Sequence, residues 1–149
     1  MDTKKVIKKG SSLFKAFKTN QEAEIEGVWI EYGPNDDGTI PAFKLARISR
    51  NNKKYTKMLE KETRPHRRAI ELNTMSDEQA EAITTRVFVR SVLLDWRNVQ
   101  NAEGNTIAFT EQNAVALFNE LPDLYDDLNA KARNASLFRD EALEAEAGN

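Results

Sequence analysis

The sequence has 149 residues, of which 40% are hydrophobic and 31% are charged, so it can form one domain with a buried core. It contains no cysteine, which excludes disulfide bonds and thiolate metal sites. The net charge is only -2, and no apolar run approaches the roughly 18 residues of a membrane-spanning helix, so we expect no membrane partner.

Residues 1–20 are predicted to form a basic flexible arm, because lysines recur along them and chain termini are usually loose. Leu13, Phe14 and Phe17 lie at a spacing that also fits a short helix. A second interpretation is a segment that becomes ordered on a partner and uses its two phenylalanines as anchors.

Residues 21–50 are predicted to form a β-hairpin or a small antiparallel sheet. Glutamates alternate with apolar residues, which favours a strand over residues 22–32, and residues 39–48 are predicted to form the returning strand. Residues 33–38 contain glycine, proline, asparagine and aspartate, which predict the connecting turn. Pro41 favours an edge strand or a bulge, because proline cannot donate a ladder hydrogen bond.

Residues 51–149 are predicted to form a helical subdomain that ends in an acidic, frayed tail, within one domain overall. Its first helix begins near Asn51 and ends at Arg64, because Pro65 disfavours a helical conformation in the residue before it. The pattern of residues 67–72 fits both a helical turn and an extended connector.

The strongest helical pattern covers residues 77–95. Ser76 and Gln79 form a capping box at its start, and its broad apolar face predicts a central helix that is contacted on more than one side. A turn rich in glycine and asparagine follows at residues 101–105.

Two further helices are predicted after this turn. Thr110 can cap the first of them, and Pro122 interrupts it. The last helix is predicted to run from Pro122 through Leu128 to Phe138, before the acidic tail.

Candidate catalytic and metal-binding groups are few. His66 is the one histidine, and its neighbours are cations, which disfavour both its protonation and metal binding. Residues 35–38 resemble part of a calcium loop but lack its first acid and its distal glutamate. The six glycines are scattered, so no phosphate-binding loop is formed. The sequence therefore predicts a protein that is not an enzyme and uses no cofactor.

Charge is distributed unevenly along the chain. Residues 44–68 carry a net charge of +8, and residues 95–149 carry -7. The basic belt at residues 44–68 fits a solvated surface, a nucleic-acid-binding surface or a contact with another protein, including the acidic end of a second copy. The last case predicts head-to-tail association of copies into rings or filaments. The sequence pI of about 5.6 counts against nucleic acid.

Four ordered stretches carry a likeness to a known family: Glu26–Gly33; Phe43–Arg47 with Asn51–Tyr55; Val92–Val99 with Gly104 and Phe109; and Asn113–Leu128 with Phe138 and Arg139. In these stretches the sequence resembles the tail assembly chaperone family of long-tailed (siphophage-type) bacteriophages. The likeness covers about residues 24–141.

This resemblance implies a protein that binds the tape measure protein, a long helical chain, and keeps it soluble until the tail tube polymerises around it. It implies action in the host cell cytoplasm and absence from the mature virion. Many members of the family also have a frameshifted longer form, which is an implied partner. The alternatives are a nucleic-acid-binding protein that uses the basic belt, or a structural virion component.

A chaperone for a helical client needs apolar grooves and a charged exterior. The candidate groove residues are Trp96, Phe109, Phe118, Tyr125 and Phe138. Three basic side chains, Arg47, Lys53 and Lys54, are candidates for contacts beside the groove. For the aromatic residues the alternative is core packing, and for the basic residues it is solvated surface.

Overall fold

The computed structural model describes residues 12–140 and 142–143 of the chain. The helices are α1 (Ser12–Phe17), α2 (Gln21–Glu26), α3 (Lys53–Thr63), α4 (Arg67–Glu71), α5 (Asp77–Ser91), α6 (Glu111–Glu120) and α7 (Pro122–Arg133). The strands are β1 (Val28–Glu31), β2 (Ala42–Leu45) and β3 (Leu93–Arg97), which form a three-stranded antiparallel sheet in the order β1-β2-β3. The predicted α+β class, a small antiparallel sheet with a helical part, is confirmed.

The segment before β1 corrects the predicted strand over residues 22–32. It forms helix α2, because the Asn20 side chain caps it by accepting from the Ala23 N–H at 3.0 Å. Glu22 and Glu24 also place negative charge in the first turn, where the helix dipole favours it. Gly27, with φ of +94°, ends the helix and leaves only Val28–Glu31 for the strand.

The predicted hairpin is confirmed, with shorter strands than expected. Val28 lies opposite Leu45, and Ile30 lies opposite Phe43. The prediction that Pro41 marks an edge strand or a bulge is wrong, because it precedes β2, the central strand, and the register shift lies further along, between Lys44 and Leu45. Since Pro41 lies just outside the strand, its missing N–H removes no bond from the ladder.

Helix α3 follows the prediction closely. Asn52 caps it by accepting from the Tyr55 N–H at 3.0 Å, and the helix ends before Arg64 and Pro65. A 3-10 turn (Arg64–His66) connects it to α4, so the undecided segment 67–72 is largely helical.

Helix α5 begins at its predicted cap, where Ser76 accepts from the Gln79 N–H at 3.1 Å. The predicted extension of this helix to Asp95 is wrong, because the helix ends at Ser91 and residues 93–97 form β3. A short apolar run fits both a helix and a strand, and here β2 offers an open edge with which β3 pairs. The junction between the helix and the strand is the single residue Val92.

Between β3 and α6, the predicted turn at residues 101–105 is present, with Gly104 at φ of +85°. Thr110 caps α6 by accepting from the Asn113 N–H at 3.0 Å, and Pro122 separates α6 from α7 as predicted. The expected continuation of α7 to Phe138 is wrong. The helix ends at Arg133, and the Asn134 side chain caps a 3-10 turn (Ala135–Phe138) instead.

The core lies between the sheet and α5, α6 and α7. Helix α5 is contacted by α3 and α6 and is followed by β3, which confirms its predicted central position. The strands and the helices contribute to one continuous cluster of buried apolar side chains. Residues 1–11 of the predicted arm and residues 141 and 144–149 of the predicted acidic tail lie outside the described residues.

Candidate functional site

No group of three or more histidine or acidic side chains is placed to hold a metal ion within residues 12–140 and 142–143. Over this same part of the chain, no helix is both long enough and apolar enough to cross a membrane. His66 lies in the 3-10 turn after α3 and is half-buried.

Three of the five aromatic side chains predicted to contact a client are buried, and the other two are half-buried. Trp96 is 6% exposed, and its indole N–H donates to the Ile107 carbonyl at 3.1 Å. Its ring meets Phe43 at a centroid distance of 6.0 Å and Phe109 at 5.3 Å, both edge to face. Trp96 therefore packs the sheet side of the core.

A separate aromatic cluster joins three helices. Phe88 of α5 meets Phe118 of α6 at 5.9 Å and Tyr125 of α7 at 5.2 Å between ring centroids. Phe138 is fully buried in the 3-10 turn that contacts α2. The predicted aromatic residues thus occupy three parts of the core and do not line one groove.

The three predicted basic contacts lie in different surroundings. Arg47 forms an ion pair with Glu24 of α2, and the Thr19 hydroxyl donates to the same carboxylate at 2.6 Å. This pair fastens α2 to the segment that follows β2. Lys53 and Lys54 are exposed in the first turn of α3, and neither has an acidic partner among the described residues.

Large apolar side chains are exposed on α1 and α2. We call these residues (Leu13, Phe14, Phe17 and Ile25) the N-terminal apolar surface. Each of them is at least 69% exposed, which is unusual for side chains of this size. The sequence pointed to Phe14 and Phe17 as partner anchors and placed Leu13 at helical spacing with them. The sequence analysis missed Ile25, because it predicted a strand over residues 22–32. Asn20 and Gly27 are sequence signals that could have indicated a helix there.

Two adjoining clefts are lined by two of these side chains. Phe17 lines an open cleft of about 550 Å³, and Ile25 lines a neighbouring one of about 300 Å³. Both clefts are also lined by Gln21, Arg47 and Asn51, so they form one continuous depression. The combination of exposed apolar groups with a polar cleft is typical of a protein-binding surface.

A second distinctive surface runs along α3, the 3-10 turn that follows it (Arg64–His66) and α4. It consists of exposed basic residues at helical spacing, which we call the cationic row: Lys53, Lys57, Lys61, Arg64 and Arg68. The opposite side of α3 packs on α5, where Glu62 accepts from Arg86 at 2.5 Å and lies 3.5 Å from Arg90. The helix thus turns an acidic group inward and its cations outward.

One further ion pair joins α5 to α6, and another lies within α7. Arg90 donates to both oxygens of Glu111, at 2.7 and 3.1 Å, and this contact lowers the Glu111 pKa. Asp127 accepts from Lys131 at 2.7 Å and from the Tyr32 hydroxyl at 2.5 Å, and these bonds lower the Asp127 pKa. Burial and the same carboxylate raise the pKa of Tyr32 above its usual range.

We expect acid to destabilise the protein through these two carboxyl groups. Their pKa values are lower folded than unfolded, so their contribution is complete above the unfolded value of about 4 and is lost as the pH falls through the folded values. Denaturant unfolding at neutral pH and at pH about 3 measures this loss. The variant Glu111→Gln/Asp127→Asn should lose less stability over the same interval, and an equal loss would contradict the assignment.

A protein-family model described as "YdaY prophage protein" matches residues 50–149, which are 100 of the 149 residues. The matched region includes α3 to α7, β3 and the cationic row. No curated protein and no solved structure matches the chain. Because the family model covers two thirds of the sequence, the chain belongs to the YdaY prophage protein family and is of phage origin.

Proposed function

We propose that this chain is a tail assembly chaperone that binds the tape measure protein and keeps it soluble until the tail tube polymerises around it. Its phage origin and the resemblance of residues 24–141 to such chaperones support this role. The protein acts in the host cytoplasm while the tail is being built, and it is absent from the finished virion.

The observation that carries the proposal is the N-terminal apolar surface. Four large side chains are exposed (Leu13, Phe14, Phe17 and Ile25), and two of them, Phe17 and Ile25, line a continuous depression. These side chains can cover the apolar stripe of a client helix. A long helical client needs such cover before the tube encloses it, because its exposed apolar stripe promotes aggregation. The aromatic residues predicted from the sequence are too deeply buried to provide it, apart from the half-buried Phe109 and Tyr125.

Co-expression with the tape measure protein of the same prophage tests this proposal. The measurement is the share of tape measure protein that stays soluble and co-purifies with this chain. We expect the variant Leu13→Ser/Phe14→Ser/Phe17→Ser to reduce this share about tenfold, because three apolar anchors are removed from the contact.

The matched control is Ile40→Ser/Leu121→Ser, which removes exposed apolar side chains outside this surface and should leave the share unchanged. The proposal is wrong if the tape measure protein is equally soluble without this chain. It is also wrong if the chain is found as a stoichiometric component of purified virions, since that outcome favours a structural role.

A further inference from the structure

The cationic row on α3 and α4 has no function in the contacts described so far. We infer that it is a docking site for an acidic amphipathic helix of a partner protein. This inference rests on the proposed function, because it takes the partner to be a helical client, and it names the kind of client segment that binds there.

Apart from Arg64, the members of the row have no acidic partner among the residues that the structure describes. Elsewhere Arg47, Arg86, Arg90, Arg97 and Lys131 each lie within 4.0 Å of a carboxylate. The row contains one ion pair with a described residue, between Arg64 and Glu60. Both side chains of this pair are 62% exposed. The remaining members of the row, together with Lys54 and Arg67 beside it, are exposed and form no ion pair with a described residue.

The placement of these cations opposes the stability of α3 itself. Lys53 and Lys54 occupy the first turn, which contains no acid, so two positive charges lie at the positive end of the helix dipole. Lys57 follows Lys53 by four residues, and Lys61 follows Lys57 by four, and like charges at this spacing repel each other. An anionic partner on the row would reverse both effects, which gives binding a source of free energy.

The spacing of the row matches that of a second helix. Residues four apart on a helix are separated by about 6 Å along its axis, so Lys53, Lys57 and Lys61 are repeated at that interval. A partner helix with acidic residues at every fourth position presents carboxylates at the same interval. Two helices lying side by side can therefore pair their charges in register.

The end of the row favours a protein over a nucleic acid. Ile70 and Leu72 are 47% and 59% exposed, immediately after Arg68, and such side chains match the apolar edge of a partner helix. Bases of a single strand would need exposed aromatic rings on which to stack. The one aromatic residue of α3, Tyr55, is half-buried, with its hydroxyl 3.5 Å from Arg133.

A labelled synthetic peptide tests the inference, with glutamate at every fourth position of a helix and leucine on the adjacent side. Its affinity for the full chain is measured by fluorescence anisotropy at low salt. The variant Lys53→Gln/Lys57→Gln/Lys61→Gln should weaken binding about tenfold, because three charge contacts are lost. The same variant should unfold at a higher denaturant concentration, because the repulsion within α3 is removed.

The control Lys44→Gln/Arg97→Gln/Lys131→Gln removes the same charge away from both proposed contact surfaces and should bind the peptide within about twofold of the unaltered chain. The variant Ile70→Ser/Leu72→Ser should also weaken the peptide complex. The inference is overturned if the row variant binds the peptide as well as the unaltered chain does. It is also overturned if an oligonucleotide of equal charge binds more tightly and is unaffected by Ile70→Ser/Leu72→Ser. Neither of these two results contradicts the proposed function, because that function is tested separately by the solubility of the tape measure protein.

Discussion

Replacing Phe88 with alanine is expected to lower the free energy of unfolding by about 3–5 kcal/mol. Its side chain is 1% exposed and lies where α5, α6 and α7 meet. The truncation removes two edge-to-face ring contacts, with Phe118 and Tyr125, and leaves a cavity that three helices cannot close together. Since whole domains are stable by only about 5–15 kcal/mol, a large fraction of the molecules should unfold on mild heating.

Urea denaturation followed by circular dichroism measures this loss. The control Leu121→Ala truncates a side chain that is 49% exposed, between α6 and α7, and should cost less than about 1 kcal/mol. Similar losses for the two variants would mean that the three helices do not meet at Phe88.

The variant Gly27→Ala is expected to lower the free energy of unfolding by about 2–5 kcal/mol. Gly27 has φ of +94°, which a residue with a Cβ atom adopts only with strain. An added Cβ would also lie 2.8 Å from Leu94 Cδ1 and 3.1 Å from the Leu45 carbonyl oxygen. The leucine side chain can rotate away, but the carbonyl belongs to the central strand and cannot move without disturbing the sheet.

Gly38 provides the matched control for this variant. It has a similar φ of +88°, and an added Cβ would meet nothing within 4 Å. Gly38→Ala should therefore show the backbone strain alone, about 1–2 kcal/mol. If urea unfolding gives equal losses for Gly27→Ala and Gly38→Ala, the close packing of Gly27 against β2 is not a feature of the folded protein.

Features determined by a few neighbouring residues could be predicted from the sequence. The caps at Ser76 and Thr110 and the interruption at Pro122 depend on local hydrogen bonds and on the proline ring, and all three are present. The turn residues at 33–38 likewise predicted a hairpin, and the strands on either side of them are paired antiparallel. These signals need no information about distant parts of the chain.

Features determined by distant contacts could not be predicted. Residues 93–97 continue the apolar pattern of α5, and only the open edge of β2 makes them a strand. Residues 21–26 carry an alternating pattern that predicts a strand, and their local helix signals, Asn20 and Gly27, are supported by a distant contact in which the Phe138 carbonyl accepts from the Asn20 N–H at 2.7 Å. That carbonyl comes from the other end of the chain.

The candidate surfaces also divide into features that local residues determine and features that distant contacts determine. The sequence placed Lys53 and Lys54 in a basic belt, and helical spacing turns that belt into one row along α3 and α4. It could not separate buried from exposed aromatic residues, because both occur at helical spacing. Trp96 illustrates this, since its burial depends on pairing between β2 and β3.

Val92 joins the helical part of the fold to the sheet. Its N–H donates to the Phe88 carbonyl at 2.9 Å and closes α5, while its carbonyl accepts from the Ala46 N–H at 2.9 Å beyond the end of β2. Because one residue serves both hydrogen-bond systems, this junction cannot act as a hinge, and local opening of α5 at this end also releases the sheet. Helix and sheet therefore form one cooperative unit, and their amide protons should exchange with solvent together. The elements that can move without opening this unit are peripheral ones such as α1 and α4, which bury no side chain.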